Sequence, residues 1–328
     1  MSAARPRVFV TQPIAPRAIE TLQTRAAVTW NPDPLHIMTK TELLDAVRSA
    51  DYLFCLLQDH VDADVIAANP TLTMVASMTI IPADIDVAAA TARRIPVTVI
   101  PQIVTEATAD IAMTLLLAVA RRVAEADRLV RAGTFPGAQS RYLEGHAVAG
   151  ATLGILGCGR VGLAVARRAR GFGMRLLYHD SRRLPEGEAR ELGLEYRTLE
   201  ALLAEADFVS VHVPLVPETR HLIDARALAR MKPSAYLINT ARGPIVDERA
   251  LVTALTGGRI AGAGLDVFEH EPRPAKELLA LPNVVLTPHI GSAEIELRER
   301  MAGVVVDNIL AVMAGRRPPN CVNPEIYG

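Results

Sequence analysis

The stretch TLGILGCGRVGLAVARRARGFGMRLLYHD, from Thr152 to Asp180, carries the strongest indication of the fold of this chain. It begins with a short apolar run and passes through a G-x-G-x-x-G turn. Its apolar positions then recur at helical spacing as far as Gly171. A second apolar run, from Met174 to Tyr178, follows. The pattern predicts a strand, a glycine turn, a helix and a second strand.

Each of the three glycines has a physical role in such a turn. Gly157 permits the tight turn out of the strand, Gly159 lets a pyrophosphate approach the backbone, and Gly162 lets the helix pack closely on the strand. The free N–H groups at the start of the helix favour an anion. The stretch therefore predicts a dinucleotide site, and a plain glycine turn is the alternative.

Asp180 suggests which dinucleotide binds. It follows the turn at about the spacing expected of a carboxylate that accepts a hydrogen bond from a ribose 2′-OH. The same carboxylate repels a 2′-phosphate, so NAD is the expected cofactor. Ser181, Arg182 and Arg183 come next and offer groups for a 2′-phosphate, although charged residues after a strand are more often a solvated edge. NADP stays open as the alternative.

Composition narrows the classes of partner. Among 328 residues, 35 Lys and Arg stand against 36 Asp and Glu, a net charge of -1. Such a chain has no long-range field to gather nucleic acid or an anionic membrane, so a small molecule is the expected partner. Its length suggests about two domains.

Cysteine usage and the apolar segments predict the compartment. Cys55, Cys158 and Cys321 have no metal-ligand spacing, which favours a reducing compartment and argues against a metal. The N-terminus lacks the apolar run of a secretory signal, and Ile111 to Ala120 is too short to span a bilayer. A cytoplasmic protein is expected.

Short apolar strands alternate with amphipathic helices on both sides of the glycine turn. This alternation predicts an α/β chain with two doubly wound parallel sheets. Between them, one long helix is predicted from Thr105 to Arg131, with Thr105 as its N-cap and Gly133 as its stop. Because this helix is apolar on more than one face, it either bridges domains, lies in a subunit interface or fills one core.

Polar residues follow three of the later predicted strands, where ligands of such sheets bind. Arg242, His289 and the pair Asp266 and Glu271 stand there. A guanidinium can hold a carboxylate at two points, and an imidazole can exchange a proton near neutral pH. If Glu271 lies against His289, its charge favours the imidazolium. Asp266 is suited to accept from a nicotinamide carboxamide.

Each of these residues also has a simpler interpretation. A lone arginine after a strand is usually a surface charge, a histidine between proline and glycine is usually a loop residue, and EHEP is compatible with an acidic turn. Their shared location beside a dinucleotide turn favours the functional interpretation. His212 is expected to pack rather than react.

The segments GCGRVG, HVPLVPET, LINTARGPIVDE, GAGLDVFEHEP and TPHIGS together resemble the NAD(P)-dependent D-isomer-specific 2-hydroxyacid dehydrogenases, nearest the glyoxylate/hydroxypyruvate reductase branch. The resemblance covers nearly the whole chain. It implies an enzyme that transfers a hydride between NAD(P)H and a small 2-oxo acid or D-2-hydroxy acid, with Arg242 as substrate binder, His289 as acid and base, and Glu271 as the partner of His289.

The same resemblance implies the domain organisation. A Rossmann NAD-binding domain spans 102–289, and a flavodoxin-like substrate-binding domain is made of 1–101 and 290–328. The cleft is expected to close by hinge motion, and the long helix to help form a homodimer. The expected cofactor-binding residues are Thr108, Gly157, Gly159, Arg160, Val161, Gly162, Asp180, Val213, Pro214, Thr219, Thr240, Ala241, Asp266 and Gly291.

One segment departs from the family pattern. Where members usually have a small residue and a glycine whose N–H groups bind the substrate carboxylate, this chain has Thr79, Ile80, Ile81 and Pro82. Ile81 adds bulk and disfavours positive φ. Either the loop takes another path or the substrate is a less usual anion. A non-enzymatic NAD-sensing corepressor-like protein is the other alternative.

Overall fold

The computed structural model describes residues 5–82 and 84–328. They form two compact units. One unit comprises the chain up to Ile103 and from Ala293 onward, and the other runs from Val104 to Ser292. Each unit is built on a parallel sheet.

The first unit has the flavodoxin-like strand order. Its strands are β1 (Arg7–Val10), β2 (Ala27–Trp30), β3 (Tyr52–Cys55), β4 (Met74–Ser77) and β5 (Val97–Thr98). They lie in the order β2-β1-β3-β4-β5, all parallel. Its first helices are α1 (Pro16–Gln23), α2 (Lys40–Arg48), α3 (Ala63–Ala67) and α4 (Val87–Ala92).

The second unit contains the larger sheet. Two helices come first, α5 (Thr105–Ala120) and α6 (Val123–Arg131). The strands are β6 (Thr152–Leu156), β7 (Arg175–His179), β8 (Leu194–Tyr196), β9 (Phe208–Val211), β10 (Tyr236–Asn239), β11 (Gly262–Leu265) and β12 (Val284–Leu286). Their order, β12-β11-β10-β9-β6-β7-β8, reverses direction at β6, as in a Rossmann sheet.

The remaining helices of this unit are α7 (Arg160–Arg170), α8 (Glu186–Leu192), α9 (Leu199–Glu205), α10 (Ala225–Arg230), α11 (Glu248–Thr256) and α12 (Lys276–Ala280). The last helix, α13 (Ile295–Met313), returns to the first unit and packs on α1 and β4. The prediction of two doubly wound parallel sheets is therefore confirmed.

Local sequence explains where many helices begin. The side chains of Asp62, Asp86, Thr198, Asp224 and Asp247 each accept a backbone N–H of the first turn that follows. The central strands β3, β4, β9, β10 and β11 are buried along their whole length. Both faces of the sheets are thus covered, as parallel sheets require.

The predicted single helix from Thr105 to Arg131 is wrong. It divides into α5 and α6 because Arg122 takes a left-handed conformation with φ of 53°. Thr105 is not the cap either, since Val104 holds that position without a side-chain bond. Gly133, with φ of 69°, does lie just past the end of α6. β8, α8 and α12 were not predicted.

Across residues 5–82 and 84–328, no helix combines the length and apolarity needed to cross a membrane.

Candidate active site

At two positions of the glycine turn after β6, no residue other than glycine fits. At Gly157, where φ is 92°, a Cβ would lie 2.7 Å from the backbone nitrogen of Val213. At Gly162 a Cβ would overlap the carbonyl oxygen of Gly157. Gly159 is different, because a Cβ there would meet nothing within 4 Å. The backbone at Gly159 is therefore open to an approaching group.

The start of α7 offers donors at this open position. Gly159 precedes the helix without a side-chain cap. Within the described chain, the N–H groups of Arg160, Val161 and Gly162 have no acceptor, and Leu163 is the first residue to bond back, to Gly159 O at 2.9 Å. Free N–H groups and the helix dipole together favour a phosphate. The turn fits the pyrophosphate of a dinucleotide.

Asp180 is fixed beside the same turn. One carboxylate oxygen accepts the N–H of Cys158 at 2.8 Å, and the other accepts the N–H of Arg182 at 3.2 Å. The side chain of Arg183 lies over the ring of Tyr196, 4.2 Å from its centre. Both arginines are exposed. Asp180 remains the predicted ribose-binding residue.

The polar residues predicted after three later strands do come to one edge of the sheet. β10, β11 and β12 are neighbours, and Asn239, Leu265 and Leu286 lie side by side in register at or near their ends. Arg242, Glu271 and His289 follow these strands in turn.

His289 and Glu271 form a direct pair. Nδ1 of His289 lies 2.8 Å from Oε2 of Glu271, and Oε1 of Glu271 accepts the N–H of Phe268 at 3.1 Å. Burial alone would raise the pKa of Glu271, but the hydrogen bond and charge of His289, with a contribution from Arg242, hold that pKa below its usual range. Glu271 is thus a carboxylate at neutral pH.

Asp266 holds the loop that carries His289. It is only 1 % exposed. Its carboxylate accepts the hydroxyl of Thr287 at 2.6 Å and the N–H groups of Ile290 and Gly291 at 2.8 Å each. The backbone of His289, at φ 54°, also donates to Asp266 O at 2.9 Å. Asp266 therefore orients His289, and its contact with a nicotinamide stays a prediction.

Asn239 and Gly243 arrange the turn that carries Arg242, and neither was predicted. Asn239 accepts the N–H of Ala241 at 3.0 Å and donates to Arg242 O at 3.0 Å. A Cβ at Gly243 would overlap the carbonyl group of Phe268. The motif LINTARG contains both residues, but their role depends on a contact between two loops, which spacing alone does not show.

Other predicted cofactor residues lie around the same edge. The hydroxyl of Thr240 is buried and has no partner in the described residues. Thr108 donates to Val104 O at 2.9 Å and to Gly291 O at 3.3 Å. Thr219 donates to Pro214 O at 2.6 Å, which closes the turn after β9. The unpaired hydroxyl of Thr240 is suited to a bound cofactor.

His212, which the sequence predicts to pack rather than react, contacts a neighbouring side chain. Its Nε2 lies 2.8 Å from Ser210 Oγ, and burial lowers its pKa to about 4. His212 is thus neutral at pH 7.

The Thr79–Pro82 segment belongs to the first unit. The hydroxyl of Thr79 donates to Ile81 O at 2.7 Å and pairs with Ser77 Oγ at 2.7 Å. Ile81 is not among the residues with positive φ, and it is 45 % exposed. Over the described range, the N–H groups of Thr79, Ile80 and Ile81 have no acceptor. The loop therefore presents three free donors without a glycine.

The described residues contain no group of three or more His, Cys, Asp or Glu arranged to hold a metal ion.

A nucleotide-binding turn, an acid–base pair and a nearby guanidinium at the carboxyl edge of one Rossmann sheet define a dehydrogenase-type site. Residues 113–291 match the family model for the NAD-binding domain of D-isomer specific 2-hydroxyacid dehydrogenases. The chain belongs to this family and is an NAD(P)-dependent oxidoreductase.

Several relatives and solved structures are similar over nearly their full length. A glyoxylate reductase of Korarchaeum cryptofilum is 50% identical over 98% of this chain and 97% of its own. A structure from Thermus thermophilus is 45% identical, with a TM-score of 0.90, over 96% and 99% of the two chains. An NADPH-dependent glyoxylate/hydroxypyruvate reductase of Sinorhizobium meliloti, solved with NADP and malonate, is 36% identical with a TM-score of 0.80, over 97% of each chain.

Proposed function

We propose that this enzyme reduces glyoxylate, hydroxypyruvate or a closely related small 2-oxo acid to the D-2-hydroxy acid, and catalyses the reverse reaction. The observation that carries the proposal is the 2.8 Å contact of His289 with the ionised Glu271 at the edge where Arg242 also stands. The names of the relatives in Korarchaeum cryptofilum and Sinorhizobium meliloti support this substrate class.

His289 is the proposed acid and base. Reduction of a carbonyl needs a proton on the new hydroxyl, and His289, held by the carboxylate of Glu271, is placed to give it. In the oxidative direction the neutral imidazole takes the proton back. Arg242 stays charged throughout and can bind the carbonyl and carboxylate oxygens of the substrate. Bound NAD(H) supplies or accepts the hydride.

The residues that would hold the cofactor follow from the site. The pyrophosphate is assigned to the N–H groups at the start of α7, the ribose to Asp180, and the nicotinamide end to the region of Thr240 and Asp266. Since the Asp180 carboxylate disfavours a 2′-phosphate, we propose NAD as the preferred cofactor. Arg182 and Arg183 are the groups that would serve NADP.

Substrate binding in the first unit is assigned to Thr79, Ile80 and Ile81. Their free N–H groups are suited to a carboxylate, because successive N–H groups form an anion-binding concavity. The loop leaves these donors free without a glycine and without positive φ at Ile81, which supports the proposal. The bulk of Ile81 then affects the size of the substrate rather than the binding of its carboxylate.

The chain is proposed to act as a homodimer. α6 has no buried residue, and large apolar side chains are exposed on it and just after it: Val123 is 54% exposed, Val130 60% and Phe135 59%. Such a patch suits the same patch on a second copy, as a two-fold interface requires.

A cytoplasmic location fits the three cysteines, which are all free thiols.

A cofactor-paired substrate panel tests the proposal. NADH and NADPH are each offered with glyoxylate, hydroxypyruvate, pyruvate, phenylpyruvate and 2-ketogluconate, and oxidation of the cofactor is followed at 340 nm. NADH with glyoxylate or hydroxypyruvate is expected to give the highest kcat/KM. Tight NADH binding without turnover of any of these acids would contradict the proposal and favour a non-enzymatic NAD-sensing role.

A further inference from the structure

Glu248 and Glu269 form a reciprocal pair outside the set of residues assigned above. Glu248 begins α11, and Glu269 lies in the loop after β11. The N–H of Glu269 donates to Glu248 Oε2 at 2.8 Å, and the N–H of Glu248 donates to Glu269 Oε2 at 3.2 Å. The other oxygen of Glu248 accepts the N–H of Ala275. Glu248, 8% exposed, thus fastens the 269–275 loop at both ends.

His221 joins a third loop to this pair. Its Nε2 lies 2.7 Å from Oε1 of Glu269, and Arg220 approaches the same oxygen at 3.6 Å. The backbone N–H of His221 donates at 2.9 Å to the carbonyl of Pro244, which closely follows Arg242. The loops after β9, β10 and β11 are therefore linked by one network.

Glu271 lies inside the loop that this network fastens. Its two oxygens are used by Phe268 and His289, so its position depends on the path of the backbone from Phe268 to Ala275. That path is also limited by Gly243, where the backbone of Phe268 lies too close to leave room for a side chain. The network therefore limits where Glu271 can lie.

We propose that Glu248, Glu269 and His221 are positioning residues that hold Glu271 against His289. This inference rests on the proposed function, because it concerns the acid–base pair of that reaction. A half-buried carboxylate gains hydration by turning towards water, so its contact with an imidazole persists only if the loop is fixed. The network acts on the reaction through Glu271. Glu248, Glu269 and His221 are not among the residues assigned above to substrate binding.

A double-mutant cycle separates positioning from general support of the fold. Glu248→Ala and Glu271→Gln are each expected to lower kcat roughly 10- to 100-fold, since a displaced acid–base pair costs this much. The double variant should be no slower than Glu271→Gln, because the anchor acts only through Glu271. Glu277→Ala, on the exposed face of α12, is the matched control and should retain full activity.

The balance between kcat and KM gives a second measurement. In Glu248→Ala, Glu271→Gln and the double variant, kcat for reduction is expected to fall while KM for the 2-oxo acid changes little, because Arg242 is intact in all three. The dissociation constant of NADH should not change. Glu248→Gln keeps one acceptor oxygen, so its kcat should lie between that of Glu248→Ala and that of the wild type.

The outcomes distinguish this inference from the proposed function. Losses that multiply in the double variant, or a KM that rises as far as kcat falls, would overturn the positioning role alone. Wild-type kcat in Glu271→Gln would overturn the proposed function itself. If Glu248→Ala does not fold, the same cycle is run with His221→Ala, which removes the partly exposed end of the network.

Discussion

Two regions of the molecule differ in how their polar groups are satisfied. At the carboxyl edge of β10 to β12, Asp266 and Glu271 each accept at least two hydrogen bonds, and Glu271 pairs with His289. In the Thr79–Pro82 loop of the first unit, three successive N–H groups have no acceptor among residues that the structure describes. The first region is the one proposed to transfer a proton, and the second is the one proposed to bind an anion.

Chemistry and substrate selectivity are expected to depend on different regions of the molecule. A group that transfers protons must stay in one geometry, so its neighbours hold it. A loop that binds a carboxylate keeps its donors free, and its side chains then adjust which molecules fit. Changes in the first region should therefore alter rates, and changes in the second should alter substrate preference.

The largest effect is expected from His289→Ala. Removing the acid and base should lower kcat by roughly 100- to 10,000-fold, while the dissociation constant of NADH changes little. Steady-state rates and fluorescence titration with NADH measure the two quantities. His60→Ala, an exposed histidine of the first unit, is the control. Wild-type turnover in His289→Ala would show that the edge of β10 to β12 does not carry the proton transfer. The proposed difference between the two regions would then be wrong.

Arg242→Lys should have the next largest effect. Lysine keeps the charge but loses the planar fork, so kcat/KM for the best 2-oxo acid is expected to fall roughly 10- to 100-fold. The comparison is with Arg249→Lys on the exposed side of α11. If the two variants behave alike, a point charge is enough at position 242, and geometric preorganisation of that residue is not needed.

Ile81→Gly is expected to alter selectivity rather than chemistry. The smaller residue leaves room beside the free N–H groups, so the ratio of kcat/KM for phenylpyruvate over glyoxylate should rise about tenfold. Leu35→Gly, a loop residue that is 91% exposed, controls for the loss of an apolar side chain. An unchanged ratio would mean that Ile81 does not face the substrate, and that selectivity must be sought elsewhere.

The smallest effect concerns stability at acid pH. His212 is neutral in the folded protein down to about pH 4, whereas in the unfolded chain it binds a proton below about pH 6.5. The unfolded state thus binds more protons between these values, and stability falls as pH falls. Between pH 7 and pH 5 the wild type should lose about 1 to 2 kcal/mol more than His212→Gln.

Thermal unfolding at the two pH values measures this difference. The glutamine retains a hydrogen-bonding group for Ser210 but does not titrate in this range. Equal losses of Tm in both proteins would show that the burial of His212 does not contribute to the acid sensitivity of the fold.

The sequence predicts the two regions unequally well, for physical reasons. Glycine spacing and the polar residues after strands are local signals, so the turn at Gly157 and the convergence of Arg242 and His289 on one edge were accessible. The network of Glu248 with Glu269 was not, because its bonds join loops that are distant in sequence. The break at Arg122 was also missed, since apolar residues continue on both sides of it.

The path of the Thr79–Pro82 loop shows a different limit. The missing glycine left two alternatives, another loop path or a different substrate, and the sequence does not say which φ angles the loop adopts or which N–H groups stay free. Those depend on the hydrogen bonds of the Thr79 hydroxyl, which hold Ile81 O and Ser77. A side chain that bonds its own backbone can replace a glycine in shaping a loop.

Hydrogen exchange at the three free N–H groups of Thr79, Ile80 and Ile81 can also report on the binding of an anion to this loop. Amide hydrogens without an acceptor exchange rapidly with solvent deuterium, and a bound carboxylate slows that exchange. Deuterium uptake in the peptide containing residues 79–81 therefore measures occupancy by a 2-oxo acid independently of any hydride transfer. Because His289→Ala still has these amides, substrate capture can be followed in a protein that no longer turns over.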